Sequence, residues 1–344
     1  MNDKQIQISA ANSRKATFWP ELKTTWSGFL SRIERPQRTA ETYEAFMAMS
    51  LADQNELKDV GGFVGGTLKD NRRKAANVTG RDLITLDMDN IPPGEAPQID
   101  AKIQMIFGCA YAIYSTRKHS SYKPRLRVII PTDRTMTPDE YEPISRKAAE
   151  MIGMAYADPT TFQGERLMYW PSCSADSDYY YKAQDGGFLR ADAILAMYAD
   201  WHDISQWPHV AGQSPQDHAK LAQKQGDPLT KPGVVGAFCR SYTIQDAMDR
   251  FIPESYDATD QANRYTYRGG STAGGAVIYD DKFLYSHHAT DPCSGKLVNA
   301  FDLVRIHLYG DQDDEAKPGT PTNRLPSYLA MTGLAIEDPT VKTI

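Results

Sequence analysis

Apolar residues recur along this chain at two spacings, every three to four residues and every second residue, and these lay out its elements. Residues 16–35, with Phe18, Trp26, Phe29, Leu30 and Ile33, read as an early helix that Pro36 stops. Residues 41–57 (Tyr43, Phe46, Met47, Leu51), 138–154 (Tyr141, Ile144, Ala148, Met151), 243–251 and 298–309 read the same way, with shorter helical segments at 99–106 and 327–335. Alternation and β-rich runs predict strands at 83–89, 109–114, 125–131, 264–268, 275–279 and 282–286. Ahead of the first strand, Gly61-Gly62-Phe63-Val64-Gly65-Gly66 places paired glycines on both sides of two apolar residues. That pattern predicts a sharp turn into a strand that another backbone or a ligand approaches closely.

The pattern thins over 204–233, where Gln213-Ser214-Pro215-Gln216 and Gly226-Asp227-Pro228 through Pro232-Gly233 read as a linker with room for one short helix. It separates a first domain at 1–203 from a second at 234–344. A length of 344 residues suits two cores better than one. Helices and strands in both halves predict an α+β chain.

Composition narrows the class without naming a function. Hydrophobic content of 41% and charged content of 24% are those of a soluble globular protein. No apolar run approaches the ~20 residues that span a bilayer, and Met1-Asn2-Asp3-Lys4 does not open a signal peptide, so a cytoplasmic protein with no membrane partner is expected. Cys109, Cys173, Cys239 and Cys293 show no Cys-x-x-Cys spacing, which argues against a disulfide framework or a four-cysteine zinc site; Cys109 reads as core. The net charge of −6 argues against a nucleic-acid partner only as a sum. Locally, Arg117, Lys118, His119, Lys123, Arg125 and Arg127 occupy a stretch without an acid, and Arg72, Arg73, Lys74 and Arg81 form a second basic stretch.

Three segments carry candidate chemistry. In Leu83-Ile84-Thr85-Leu86-Asp87-Met88-Asp89 the two-residue period sends both carboxylates to one face and Ile84, Leu86 and Met88 to the other, toward a core. Carboxylates this close are tolerated by sharing a proton or a divalent metal; a solvated Asp-rich turn is the alternative. Residues 115–124 then join two strands. In the return strand Leu126, Val128 and Ile130 share the core face, and Arg125 and Arg127 the opposite one. Ser115, Arg117, Lys118 and His119 bring hydroxyl, fork and point-charge donors suited to a polyphosphate, the alternative being an exposed hairpin with solvated charges. Asp158, in Asp158-Pro159-Thr160-Thr161, is a third carboxylate or a helix-start residue, and Arg166 contacts phosphate or pairs with an acid.

The order of these segments resembles the archaeo-eukaryotic primase (primase-polymerase) superfamily, whose motifs are Asp-x-Asp, a Ser-x-His-like segment and a lone Asp. A closer likeness is to the N-terminal primase region of phage and prophage virulence-associated E-type proteins. Thr25-Trp26, the run from Lys58 to Gly66, Pro124-Arg125-Leu126-Arg127, Asp158-Pro159 with Arg166-Leu167-Met168-Tyr169, and Ser286-His287-His288-Ala289-Thr290-Asp291-Pro292 carry it. The resemblance implies a primase catalytic core with an RRM-like antiparallel sheet, followed by a smaller α+β accessory domain. It implies a metal-dependent nucleotidyltransferase, a DNA primase or primase-polymerase. Such an enzyme makes or extends primers on a single-stranded DNA template in phage or mobile-element replication, in the cytoplasm of a bacterial host. Asp87, Asp89 and Asp158 would hold two Mg²⁺ or Mn²⁺ ions, and Ser115, Arg117, Lys118 and His119, with Arg125, Arg127 and Arg166, would hold a nucleoside triphosphate. The group often reads Thr-His-Ser-His in its second motif; here Arg117 stands at the first histidine, leaving His119 alone, and arginine binds phosphate too. A helicase-type ATPase commonly follows in this group. With no Gly-x-x-x-x-Gly-Lys-Ser/Thr here, the chain reads as a primase portion whose helicase would be a partner.

Two other functions share these residues. A metal-dependent nuclease would use the same carboxylates with water as nucleophile, but has little need of the cationic hairpin. A non-catalytic origin- or single-strand-binding module would have no turnover. Arg72, Arg73 and Lys74 in the first domain, and Arg264, Arg268, His287 and His288 in the second, are candidate nucleic-acid contacts. His287, His288, Asp291 and Cys293 are all metal-ligand types, yet adjacent residues rarely ligate one metal and no second cluster completes a tetrahedral set. A structural turn or nucleic-acid contact is expected there.

Overall fold

The alternation at 83–89 and 125–131 belongs to two longer strands, Val78–Met88 and Leu126–Met136, which pair antiparallel with Asp87 opposite Arg127. In the computed structural model, which describes residues 3–211, 226–317 and 319–343, the chain divides into two units. The first comprises Met1–Trp201 with Trp207–Ala211, the second His202–Gln206 with Gly212–Ile344. In chain order the first carries β1 (Gln5–Ala11), β2 (Glu21–Thr25), α1 (Trp26–Ile33), β3 (Gln37–Arg38), α2 (Tyr43–Ala48), α3 (Leu51–Lys58), β4 (Gly62–Val64) and β5 (Gly66–Leu68). There follow β6 (Val78–Met88), α4 (Ala96–Phe107), β7 (Tyr111–Ser115), β8 (Leu126–Met136), α5 (Pro138–Gly153), β9 (Met168–Tyr169), β10 (Ser172–Cys173), β11 (Tyr181–Gln184) and α6 (Ala191–Leu195).

A five-stranded antiparallel sheet, ordered β11-β7-β8-β6-β5, is the platform of this unit. On one face Ile84, Leu86, Met88, Val128 and Ile130 pack against Ile99 and Ile103 of α4 and Tyr141, Ile144, Ala148 and Ile152 of α5. On the other, Leu83, Ala112, Tyr114 and Ile129 meet Ile6, Ile8, Trp26, Phe29 and Phe63, contributed by α1 and a second sheet ordered β2-β1-β4-β9. Burial on both faces explains why residues 126–132 are all buried and read as a nearly unbroken apolar run. Each such aliphatic side chain contributes about 1.5–3 kcal/mol, so the ends of β6 and β8 are held rigidly. The α+β class and the antiparallel sheet expected from the sequence are those of the structure.

Two helices differ from their expected extents. Residues 16–35 are helical only from Trp26, because Glu21–Thr25 pairs with β1 as a strand, and Thr25 caps the helix by accepting from the Gly28 amide at 3.1 Å. Residues 41–57 form two helices, not one. Ser50, extended at ψ 153, breaks the run and caps the second helix through the Asp53 amide. The paired glycines act as expected: Gly61 sits at φ +77, and a Cβ on Gly66 would lie 1.9 Å from the Gly80 carbonyl.

The second unit is an antiparallel meander of β12 (Tyr256–Ala258), β13 (Arg264–Tyr267), β14 (Ala276–Tyr279), β15 (Phe283–Ser286) and β16 (Leu297–Val298). Its core includes Phe238, Met248, Ile278, Leu284, Phe301, Val304 and Met331, drawn from the sheet and the helices Gly233–Ser241, Ile244–Phe251, Ala300–Tyr309 and Pro326–Glu337. Of the residues read as linker, Ile204–Gln206 and Pro228–Thr230 form 3₁₀ turns; Gln213-Ser214-Pro215-Gln216 lies outside the described residues.

The contact between Gly66 and Gly80 leaves no room for a methyl group. Gly66→Ala is expected to destabilise the chain by about 1–3 kcal/mol in urea denaturation, whereas Gly187→Ala, with nothing within 4 Å of the added carbon, stays near the unmodified midpoint.

Candidate functional site

At the end of β6 the strand period and the register together set the charges. Asp87 lies opposite Arg127, whose Nε donates to its Oδ1 at 2.7 Å. The same guanidinium donates through Nη1 to the Tyr114 hydroxyl at 3.0 Å and the Tyr169 carbonyl at 2.8 Å, tying the two sheets together. Burial works to lower the Arg127 pKa, but Asp87 outweighs it and keeps the group charged. Asp89, just past the strand, accepts from Arg125 Nη1 at 2.6 Å. The segment before Asp158 runs beside this strand end. The Asp89 amide donates to the Tyr156 carbonyl at 3.0 Å and the Asp158 amide to the Asp87 carbonyl at 2.8 Å, which brings the third carboxylate to the first two. Asp158 also caps the turn Pro159–Phe162 through the Thr160 amide at 2.7 Å, so it both starts a turn and faces the cleft.

Asp87, Asp89 and Asp158 line one cavity of about 110 Å³ together with Lys58, Thr116, Arg117, Lys118, Arg125, Arg127 and Arg166. Each carboxylate spends one oxygen on a protein donor and, among the described residues, leaves the other without one. Burial, and then the neighbouring Asp87, push the Asp89 carboxyl above its usual range, against the pull of Arg125. Crowded acids with spare oxygens favour a hard cation, and the donor set fits Mg²⁺ or Mn²⁺.

The cationic hairpin is less exposed than its sequence implies. Arg117 is buried beneath the Phe46 ring at 4.5 Å; its Nη2 donates to Glu41 and, at 2.6 Å, to the Thr39 hydroxyl, while Nε and Nη1 have no partner among the described residues. Lys118, Arg125, Arg127 and Arg166 line the cavity, and Arg166 Nε is buried without a partner. Ser115 and His119 are not among the lining residues. The Ser115 hydroxyl accepts from the Tyr180 amide at 3.0 Å, and His119 Nδ1 accepts from the Arg125 amide at 3.1 Å. Burial lowers the His119 pKa, which favours its uncharged ring.

Three contributing residues were not marked out by the sequence pattern. Lys58, the last residue of α3, reaches the cavity with its ammonium 4.8 Å from the Tyr169 ring centre, and burial followed by the charge of Arg127 lowers its pKa. Glu41 and Thr39 fix Arg117 from far up the chain. The signal for Lys58 was its place beside the paired glycines, where the backbone turns sharply.

The other candidate contacts are not among the residues lining this cavity. Arg72 donates to the Thr17 carbonyl at 3.1 Å, Arg73 stacks over Trp19 at 5.1 Å, and Lys74 lies next to Arg73 in the chain. In the second unit Arg264 donates to the Gly274 carbonyl at 3.1 Å and Arg268 pairs with Glu254 and Asp257. His287 and His288 are buried; His288 Nε2 accepts from the Tyr267 amide at 3.0 Å and its Nδ1 shares a hydrogen with Thr272 at 2.7 Å. No helix among the described residues is long and apolar enough to cross a membrane.

The family model described as the VapE N-terminal domain matches residues 1–210. No curated protein matches the chain. Among solved structures, the AEP domain of the cyanophage S-2L primase-polymerase is similar at 11% sequence identity with a TM-score of 0.31, over 56% of this chain and 88% of that one. At that level the likeness carries no weight.

Burial works to raise the Glu41 carboxyl, but the hydrogen bond from Thr39 and the charge of Arg117 bring it below its ordinary 4.5. The stability it contributes is therefore complete above that value and is lost as pH falls through the lower folded-state pKa. Glu41→Gln is expected to cost about 2–3 kcal/mol at pH 7 by leaving Arg117 buried without its acid, and urea midpoints of variant and unmodified chain should converge in acid below pH 4.5.

Proposed function

This chain belongs to the VapE N-terminal domain family, and from that membership and the site together we propose that it is a metal-dependent nucleotidyltransferase, a primase-polymerase acting on single-stranded DNA. The observation that carries the reading is the convergence of Asp87, Asp89 and Asp158 on a cleft walled by Lys58, Arg117, Lys118, Arg125, Arg127 and Arg166.

Mg²⁺ or Mn²⁺ would be held by the carboxylate oxygens that have no protein donor. Bound there, a divalent pair supplies activation of a 3′-hydroxyl and neutralisation of the triphosphate and its leaving pyrophosphate. The chain's own share is positioning and charge. Arg127 and Arg125 hold one oxygen each of Asp87 and Asp89, so neither carboxylate needs to reorient to take a cation. Lys58, Lys118 and Arg166 face the space where a triphosphate would lie, and Arg117 keeps Nε and Nη1 for it while Nη2 stays on Glu41. An enzyme that only cleaves strands with water has little use for so many cations beside its acids. The partners required are a single-stranded DNA template and nucleoside triphosphates, with a helicase as a further partner and phage or mobile-element replication as the setting.

With a single-stranded template, labelled nucleotides and Mg²⁺ or Mn²⁺, with and without primer, the unmodified chain is expected to incorporate nucleotide. Asp87→Ala combined with Asp89→Ala should abolish incorporation and leave template binding largely intact. Undiminished synthesis by the double variant, or template hydrolysis without synthesis by the unmodified chain, contradicts the reading. Lys58→Ala is expected to raise the nucleotide KM about tenfold, the ~1.4 kcal/mol of one charged hydrogen bond. An unchanged KM removes Lys58 from the triphosphate site.

A further inference from the structure

In the second unit, four polar side chains from three separate segments meet at one buried point. Asp291 and Cys293 come from the turn after β15, His307 from the last turn of the helix Ala300–Tyr309, and Tyr256 from β12. One ligand atom each of Asp291, Cys293 and His307 lie within 4.8 Å of one another. Asp291 and Cys293 are fully buried, and the His307 side chain is only 5% exposed. His307 Nε2 stands 3.3 Å from Asp291 Oδ1. The Tyr256 hydroxyl lies 2.7 Å from Asp291 Oδ2 and 2.9 Å from His307 Nε2.

We infer that Asp291, Cys293 and His307 supply three ligands of a zinc site in the second unit. A hydrogen-bond network explains the carboxylate, the imidazole and the phenol; Cys293 packs at the edge of the second unit's apolar core, yet its Sγ stands beside this polar cluster and takes part in no hydrogen bond among the described residues. A thiol facing a buried carboxylate and an imidazole is a mixed sulfur, nitrogen and oxygen set, which suits a borderline-soft divalent ion and suits Mg²⁺ poorly. The local backbone is built to present it. The Cys293 amide donates to Asp291 Oδ1 at 2.7 Å, the Gly295 amide returns to the Ser286 carbonyl at 2.8 Å, and Gly295 turns the chain at φ +67. Tyr256, donating to the far oxygen of Asp291, acts as the outer partner that fixes a ligating carboxylate. The adjacent His288 is spent on backbone amides and Thr272, so the metal-ligand types in the Ser286–Asp291 motif divide into a structural histidine and a ligating aspartate. The missing ligand of that cluster is His307, on a helix beyond the turn.

Elemental mass spectrometry of the full chain, purified without chelator, is expected to give about one zinc per chain. After removal of zinc, added Co²⁺ should produce a thiolate-to-cobalt charge-transfer band that Cys293→Ser abolishes. Asp87→Ala with Asp89→Ala should keep the zinc, because the cleft carboxylates are not its ligands. A chain that carries no stoichiometric zinc and gives no thiolate band with Co²⁺ overturns the proposal, as does a folded Cys293→Ser or His307→Ala variant that keeps all its zinc. Should either variant fail to fold, the Co²⁺ spectrum of the unmodified chain decides alone.

Discussion

The pairing of Asp87 with Arg127 across β6 and β8 is the constraint on which the cleft depends. The two residues lie directly opposite in the register of central strands; Arg127 is buried with little water to fall back on, and Asp87, which opens on the cleft, is its charge partner. Their hydrogen bonds extend the pair to Tyr114 in the same sheet and to the Tyr169 carbonyl in the other. A fold that placed one without the other would leave an uncompensated charge in its core. The sheet register and the charge pattern are thus one requirement.

From this pair outward, the site balances acids against bases in a particular way. Arg127 and Arg125 each cover one oxygen of an aspartate and leave the other open, and Thr160 does the same for Asp158. The acids are therefore fixed in place yet still able to take a cation. Of the cations lining the cleft, Arg117 is already offset by Glu41, whereas Lys58, Lys118 and Arg166 have no carboxylate partner among the described ion pairs. The surplus of positive charge suits a polyphosphate that arrives with its own metal.

How much of this was legible in the sequence followed from distance along the chain. Asp87 and Asp89, with Ile84, Leu86 and Met88 behind them, obey a two-residue period that needs no tertiary knowledge. The same holds for Arg125 and Arg127 against Leu126 and Val128. Arg117 looked like a free phosphate fork because its acid, Glu41, is 76 residues away. Lys58 stood in the sequence only as the first residue of the glycine run, and the fold places it in the lining of the cleft beside the acids. The early helix was overextended because pairing of Glu21–Thr25 with β1 outweighs its local apolar spacing. The metal-ligand types within one turn, His287, His288, Asp291 and Cys293, read as a structural turn or nucleic-acid contact, and His307, which stands 3.3 Å from Asp291 Oδ1, lies on the following helix beyond the reach of that spacing.

The central claim, that Asp87, Asp89 and Asp158 form one divalent-cation site, is tested most directly by Mn²⁺ binding followed by electron paramagnetic resonance, in the presence of a nucleoside triphosphate. The account predicts saturable binding to the unmodified chain that Asp89→Asn weakens severely and Asp158→Asn also weakens. Equal Mn²⁺ binding by all three proteins would contradict it.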